Sequence, residues 1–208
     1  QDVCQAGGGV VDNDGRIIND DGPMEDGEEG VLAYLRSEDA KQQPFFLTVG
    51  LVNPHDVLAY PSNYQDFGYD QSWFDSTGIG RPATVDEDLS RKPLVQRQFL
   101  ELTAPLRPKG ARQQLNYLNF YGNLMASSDA YLVQILDTLE EQDLLDSTLI
   151  VYTSDHGEMG TAHGGLIQKN FNFYEETLRV PLVFSNPVLY PRPKTTNALV
   201  SHVDFLPT

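Results

Sequence analysis

A short apolar run, Thr148-Leu-Ile-Val-Tyr-Thr153, ends abruptly in Ser154-Asp-His-Gly-Glu158 and a glycine-studded stretch that closes at Lys169. β-Branched and aromatic side chains in a run of this length specify a strand buried in a sheet. In open α/β sheets, ligands gather outside the carboxyl ends of the strands. Asp155 and His156 are therefore predicted to leave the strand on a loop and turn a carboxylate and an imidazole toward one centre, with Lys169 adding a cation. That trio suits a metal together with an anionic substrate. Ser-Asp-His-Gly also suits a plain turn whose aspartate caps backbone amides, so the triplet needs companions elsewhere in the chain.

Those companions exist. Pro44 to Val52 is apolar nearly throughout and reads as a second strand, buried on both faces, that runs into Asn53-Pro-His55-Asp56. His55 thus stands where His156 stands, past the end of a strand, and is a second candidate site residue. Arg112 to Gln142 is the longest helical pattern; Leu118, Tyr121, Met125, Ser128, Leu132, Ile135 and Leu139 form a stripe fit to cover a sheet. Asp129 falls inside that stripe and is expected to be partly buried in a structural role. A helix returning into the 148–153 strand is half of a βαβ unit and predicts a right-handed crossover. Arg179 to Phe184 reads as a third strand with Pro181 near its start. Glu29–Ala40 reads as a short helix, Phe171–Leu178 as a short helix or turn, and His202 with Asp204 as polar groups at a further junction.

Between residues 60 and 110, five prolines break up regular structure and aromatic residues recur, among them Tyr64, Phe67, Tyr69, Trp73 and Phe74. An excursion this long is functional or mobile; most of its aromatics are expected to anchor it, the others to line a pocket. Residues 1–28 read as an acidic Gly/Asp loop without the calcium-loop spacing of a helix-loop-helix site. A chain of 208 residues suits one domain. Its net charge of −16 argues against nucleic acid as a partner, and no apolar run is long enough for a membrane helix. The single Cys4 excludes an internal disulfide and reads as a spectator thiol.

Taken together, Pro44-Phe-Phe-Leu, Asn53-Pro-His55, the helix carrying Asp129, Ser154-Asp-His-Gly-Glu158, Lys169, Arg179-Val-Pro-Leu and Ser201-His-Val-Asp-Phe-Leu-Pro-Thr208 resemble the middle and later part of a sulfatase of the alkaline phosphatase superfamily. The matching pieces occur in the family's order from residue 28 onward. The resemblance implies an α/β fold, a partial three-layer sandwich with a mixed, mostly parallel sheet flanked by helices, in one partial catalytic domain over 1–208. It implies one divalent cation, most often Ca2+, with Asp155 and His156 as the late metal ligands. It also implies His55 and Lys169 as catalytic anion-binding residues and His163 as a further substrate contact. The family's nucleophile is a formylglycine hydrate made within a Cys/Ser-x-Pro/Ala-x-Arg signature. Cys4-Gln-Ala-Gly-Gly does not fit that signature, and no Asp-Asp pair follows an opening strand. The chain is therefore expected to be a fragment that lacks the nucleophile region.

Sulfate ester cleavage needs an aligned nucleophile, neutralisation of the sulfuryl oxygens and a proton for the leaving alkoxide. Asp155 suits a hard cation; His156 is less usual beside calcium and leaves a softer ion possible. Lys169 can pair with a sulfate oxygen, and an imidazole at His55 can supply a proton near neutral pH. The expected substrate is a sulfated small molecule or sulfated glycan, and the resemblance suggests an extracytoplasmic setting. Two alternatives stay open: phosphodiester or phosphonate monoester hydrolysis on the same scaffold, and a non-catalytic anion-binding piece.

Overall fold

The computed structural model describes residues 30–205; Cys4, the acidic 1–28 segment and 206–208 lie outside the described residues. The chain enters through α1 (Val31–Arg36) and α2 (Glu38–Gln42). The expected single helix over 29–40 divides at Ser37, which turns to an extended backbone and bonds its hydroxyl back to the Tyr34 carbonyl at 2.6 Å. After the long excursion come α3 (Leu94–Leu102) and the 32-residue α4 (Gly110–Glu141). Two short strands follow, β1 (Ile150–Thr153) and β2 (Leu182–Ser185), with one helical turn at Glu175–Leu178 between them.

At 1.5 Å per residue, α4 is about 48 Å long and acts as the strut of the molecule. Its first half carries Tyr117, Phe120 and Leu124 into a cluster with Val57, Tyr60, Tyr69 and Ile167. Its second half brings Leu139 against Val31, Leu32 and Leu35 of α1. The helix closes with Asp143 in the left-handed region at φ 59°. Leu144 N–H then bonds Leu139 O at 2.8 Å and Asp143 N–H bonds Glu140 O at 3.0 Å, the paired closure of a Schellman end. The buried stripe is rotated from the expected one: Leu118 and Leu139 are buried, but Leu124 takes the place of Met125, which is 45% exposed. Asp129, expected to be partly buried, faces solvent on the opposite side.

The excursion is anchored as its aromatic content predicts. Phe120 receives the edges of Tyr69, Trp73 and Phe74, with ring centroids 5.0, 6.3 and 5.6 Å away. Its backbone carbonyls, lacking a ladder, are met by helix amides: Asn123 donates to Trp73 O at 2.9 Å and Asp75 O at 3.0 Å, and Asn119 to Phe74 O at 3.2 Å. The α3 helix inside the 60–110 stretch departs from the expected loop. Only Gln96 and Phe99 of its nine residues are buried, and of its other apolar residues Leu94, Val95 and Leu102 are exposed; the flanking Pro93 and Pro105 are what make the stretch read as loop.

The sheet also differs from expectation. Among the described residues the single ladder joins β1 to β2, antiparallel, with Ile150 opposite Ser185 and Thr153 opposite Leu182. Residues 44–52 run extended with no ladder partner among the described residues. Phe45, Leu47, Val49 and Leu51 alternate onto the α1–α4 cluster beside Ile150, whereas Phe46 is 82% exposed. The parallel arrangement and the βαβ crossover are thus not formed among the described residues. Nor is β1 buried, since Val151 and Tyr152 are 44% and 37% exposed. An apolar run specifies extended backbone, but burial on two faces requires neighbours on both.

Removing the Phe120 ring should empty the centre of the aromatic cluster. Phe120→Ala is expected to cost about 3–5 kcal/mol in urea denaturation followed by Trp73 emission; a loss below about 1 kcal/mol would show that the cluster is not a core.

Candidate active site

The stretch after β1 is a closed loop rather than a tail. Ser154 donates its hydroxyl to His156 O at 2.8 Å, and the Asp155 carboxylate accepts the His156 N–H at 2.9 Å. Gly157 N–H then bonds Thr177 O at 2.8 Å, and a Cβ at this position would stand 2.0 Å from Glu176 O. Only glycine lets the loop lie so close to the 175–178 turn.

Glu158 fastens the loop. One carboxylate oxygen, Oε1, accepts from the Tyr117 hydroxyl at 2.7 Å, Gln168 N–H at 2.9 Å and Gly160 N–H at 3.2 Å. The outgoing and returning arms of the loop are thereby tied to each other and to α4; Met159 N–H bonding Gln168 O at 3.1 Å completes the closure. Burial is the main influence on this carboxyl and raises it above the ordinary glutamate value, while the three donors and nearby Lys169 pull the other way. Tyr117 beneath it is raised well above the ordinary tyrosine value by burial and by the Glu158 charge, and Tyr121 to about 12 for the same reasons.

Asp155 and His156 do come together. His156 Nδ1 lies 2.9 Å from Gly157 O, an acceptor, so Nδ1 carries the hydrogen and Nε2 is turned to Asp155 Oδ2 at 3.2 Å. Two electron-rich atoms at that spacing are compatible only with a positive centre shared between them, a proton or a cation. Asp155 is 81% exposed, open to an incoming ligand. As a test of the implied calcium site, the pair supplies two donors where calcium takes six to eight oxygens. No third His, Cys, Asp or Glu among the described residues completes a metal-binding group. The residues present therefore fit part of a coordination shell.

The other predicted residues sit in separate surroundings. Lys169 is half-buried near Glu158 and forms no ion pair among the described residues. His55 is 60% exposed, and its near charge is Asp56 at 3.9 Å. Asp56 in turn accepts from the Tyr69 hydroxyl, and Ser128 of α4 donates to Asn53 O at 3.0 Å, which fixes the turn that carries His55. Among the described residues, no hydrogen bond or ion pair joins His55 to Asp155, His156 or Lys169. His163 is held at both ring nitrogens, Nδ1 by Glu87 at 2.5 Å and Nε2 by Glu176 at 3.3 Å. Its ring stacks on Tyr174 with centroids 3.8 Å apart and planes 6° from parallel. It links the excursion, the loop and the turn after it. Glu87 is held below the ordinary glutamate value by its bonds to Lys92 and His163.

Glu158 and Arg107 were not singled out in the sequence as site residues, whereas His202 was, as a polar group at a junction. Glu158 was legible only as part of a motif, since nothing local marks one acid in a loop as buried. Arg107 has a buried Nε without a hydrogen-bond partner among the described residues and a guanidinium whose pKa burial lowers; it donates to Gly165 O at 3.4 Å. His202 reaches the end of β1, its Nε2 3.5 Å from Thr153 Oγ1.

With this geometry in view, the comparisons with known proteins are direct. The sequence model of the sulfatase family, described as Sulfatase, matches residues 24–208. The chain belongs to the sulfatase family. It is 31% identical over 185 residues to arylsulfatase K of Canis lupus familiaris, covering 84% of this chain and 33% of that protein. It is 29% identical over 180 residues to the uncharacterized sulfatase YidJ of Escherichia coli K12, with 84% and 33% covered. A solved Bacteroides thetaiotaomicron protein assigned to the sulfatases superposes with a TM-score of 0.61 at 20% identity, over 76% of this chain and 34% of that one. The fold is therefore that of the alkaline-phosphatase-like sulfatases, and the chain spans about a third of the length of the curated relatives it matches. No described helix is long and apolar enough to cross a membrane.

The raised Glu158 carboxyl sets a pH dependence. A group that holds its proton more tightly when folded contributes its full stabilisation below the unfolded value, here an ordinary 4.5, and loses it as pH rises through the raised value. Glu158→Gln keeps the acceptor oxygen without that loss, so in thermal melts it should match or exceed the parent chain near pH 8 and lose its advantage toward pH 4. Glu158→Ala strands three donors and should cost about 3 kcal/mol. An advantage for the Gln variant that grows as pH falls would contradict this.

Proposed function

We propose that the chain supplies the later half of the active site of a metal-dependent sulfuric ester hydrolase acting on a sulfated small molecule or sulfated glycan. The observation that carries this reading is the Asp155–His156 pair, whose Oδ2 and Nε2 face each other at 3.2 Å and call for a positive centre between them. In this reading Asp155 and His156 are late ligands of a divalent cation, most often calcium in the family, with the remaining ligands and the formylglycine nucleophile contributed from outside this chain. When bound, such a cation supplies charge neutralisation for a sulfuryl oxygen and acidifies the nucleophile.

The chain's own residues take the remaining parts. Lys169, which has no carboxylate in ion-pair contact among the described residues, offers its ammonium to a sulfuryl oxygen as a point charge. His55, exposed at the end of its turn, gives a proton to the oxygen that departs as the S–O bond breaks, so the leaving group exits as an alcohol. His163 has both ring nitrogens engaged, so its part is to hold the loop in place beside the substrate rather than to grip the substrate itself.

Two measurements test the assignment. The 208-residue chain with calcium and an aryl sulfate should show no turnover, because the nucleophile is assigned elsewhere; turnover by this chain alone would overturn the division of labour. In the complete enzyme, Lys169→Ala and His55→Ala should each lower kcat/KM by about 100-fold or more. The His55 loss should shrink for aryl sulfates whose leaving group is a weak base. A His55 loss independent of the leaving group would remove its role as proton donor, and faster cleavage of matched phosphate esters would assign the site to phosphoryl transfer.

A further inference from the structure

A hollow of about 390 Å³ opens between the start of α4 and the aromatic excursion, lined by none of the residues of the Asp155–Lys169 loop. Its walls are Tyr60, Tyr64 and Phe74 on one side and Arg112, Gln113 and Asn116 on the other, with Gln71 also contributing. The three rings brace one another, Phe74 lying 4.9 Å from both Tyr60 and Tyr64 at steep angles, which makes the aromatic wall rigid. On the helix side, Gln113 Oε1 is committed to the Lys109 N–H at 2.6 Å, so its amide NH2 is left to donate. Asn116 meets the Tyr60 hydroxyl.

The charge of this wall runs against the rest of the molecule. The chain carries a net −16, yet no acid lines the hollow, and Arg112 makes no ion pair among the described residues. A preformed hollow of this size takes a ligand of one or two rings. Aromatic faces bind the C–H face of a sugar ring, planar amides bridge vicinal hydroxyls, and a guanidinium fork grips a carboxylate or sulfate through two parallel hydrogen bonds. We propose that this hollow is a binding site for a pyranose ring bearing one anionic group, with the ring against the Tyr60–Tyr64–Phe74 wall and the anion on Arg112. Recognition here is independent of ester cleavage and does not use Asp155, His156 or Lys169.

The test is a titration of the chain followed by NMR of the tyrosine rings and the Arg112 Nε–H. The probes are methyl glucuronide and glucose 6-sulfate as the two sources of the anion, with methyl glucoside and inorganic sulfate as controls. At least one anionic sugar should bind about tenfold or more tightly than either control, and whichever binds identifies the anion. Arg112 is exposed, so Arg112→Ala should leave the fold intact and lose about tenfold in affinity, while Arg112→Lys recovers part of it. His156→Ala should bind as the parent does, which separates this site from the ester-cleaving one. Equal affinity for methyl glucoside, equal affinity for inorganic sulfate, or binding that Arg112→Ala leaves unchanged would each overturn the proposal.

Discussion

A single carboxylate oxygen organises the candidate site. Glu158 Oε1 draws in a phenol from α4 and two backbone amides from opposite arms of the 155–169 loop, so one acceptor fixes the loop to the core and to itself. Placing a carboxylate there is unfavourable because of burial, and the three donors offset part of that cost. The loop could hardly be built otherwise. It has residues at positive φ such as Thr161, His163 and Gln168, and its backbone amides have no regular ladder to join. Asp155 and His156 leave β1 just ahead of this knot and Lys169 follows it, so the knot governs the separation of the pair from the ammonium.

The strut beneath the knot is α4. Tyr117 lends the knot its hydroxyl, Phe120 centres the aromatic cluster, Ser128 pins the His55 turn and Leu139 packs α1. A long helix suits this task because residues a few turns apart keep fixed spacing while meeting unrelated partners. The site thus inherits its rigidity from one element, and the loops that carry His55 and Asp155 need only be anchored at their bases. In a chain this acidic, the cations without acid partners stand out. Among the described residues Lys169, Arg107 and Arg112 form no ion pair, although Lys169 lies near enough to the Glu158 carboxyl to pull it down.

Much of this was legible in the residues, for definable reasons. The strand before Asp155, the strand after Pro181 and the helix over 110–141 follow from local apolar periodicity, and the family from several motifs in one order. What was not legible depends on neighbours. Residues 44–52 have a strand's composition and alternation but no hydrogen-bonding partner among the described residues, and composition cannot supply one. The buried stripe of α4 runs through Leu124 rather than Met125 because an aromatic-rich helix has apolar residues on more than one face, and tertiary contact chooses among them. His163 reads like a ligand in sequence; only the fold reveals Glu87 and Glu176 closing on its ring from segments 76 and 13 residues away.

The central proposal is that Asp155 and His156 share a cation. Titrating Mn2+ into the protein and following paramagnetic broadening of the four histidine rings tests this most directly. His156 should broaden before His55 and His163, and Asp155→Asn should abolish that preference. Broadening that reaches His55 or His163 before His156, or that Asp155→Asn leaves unaltered, would contradict the shared site.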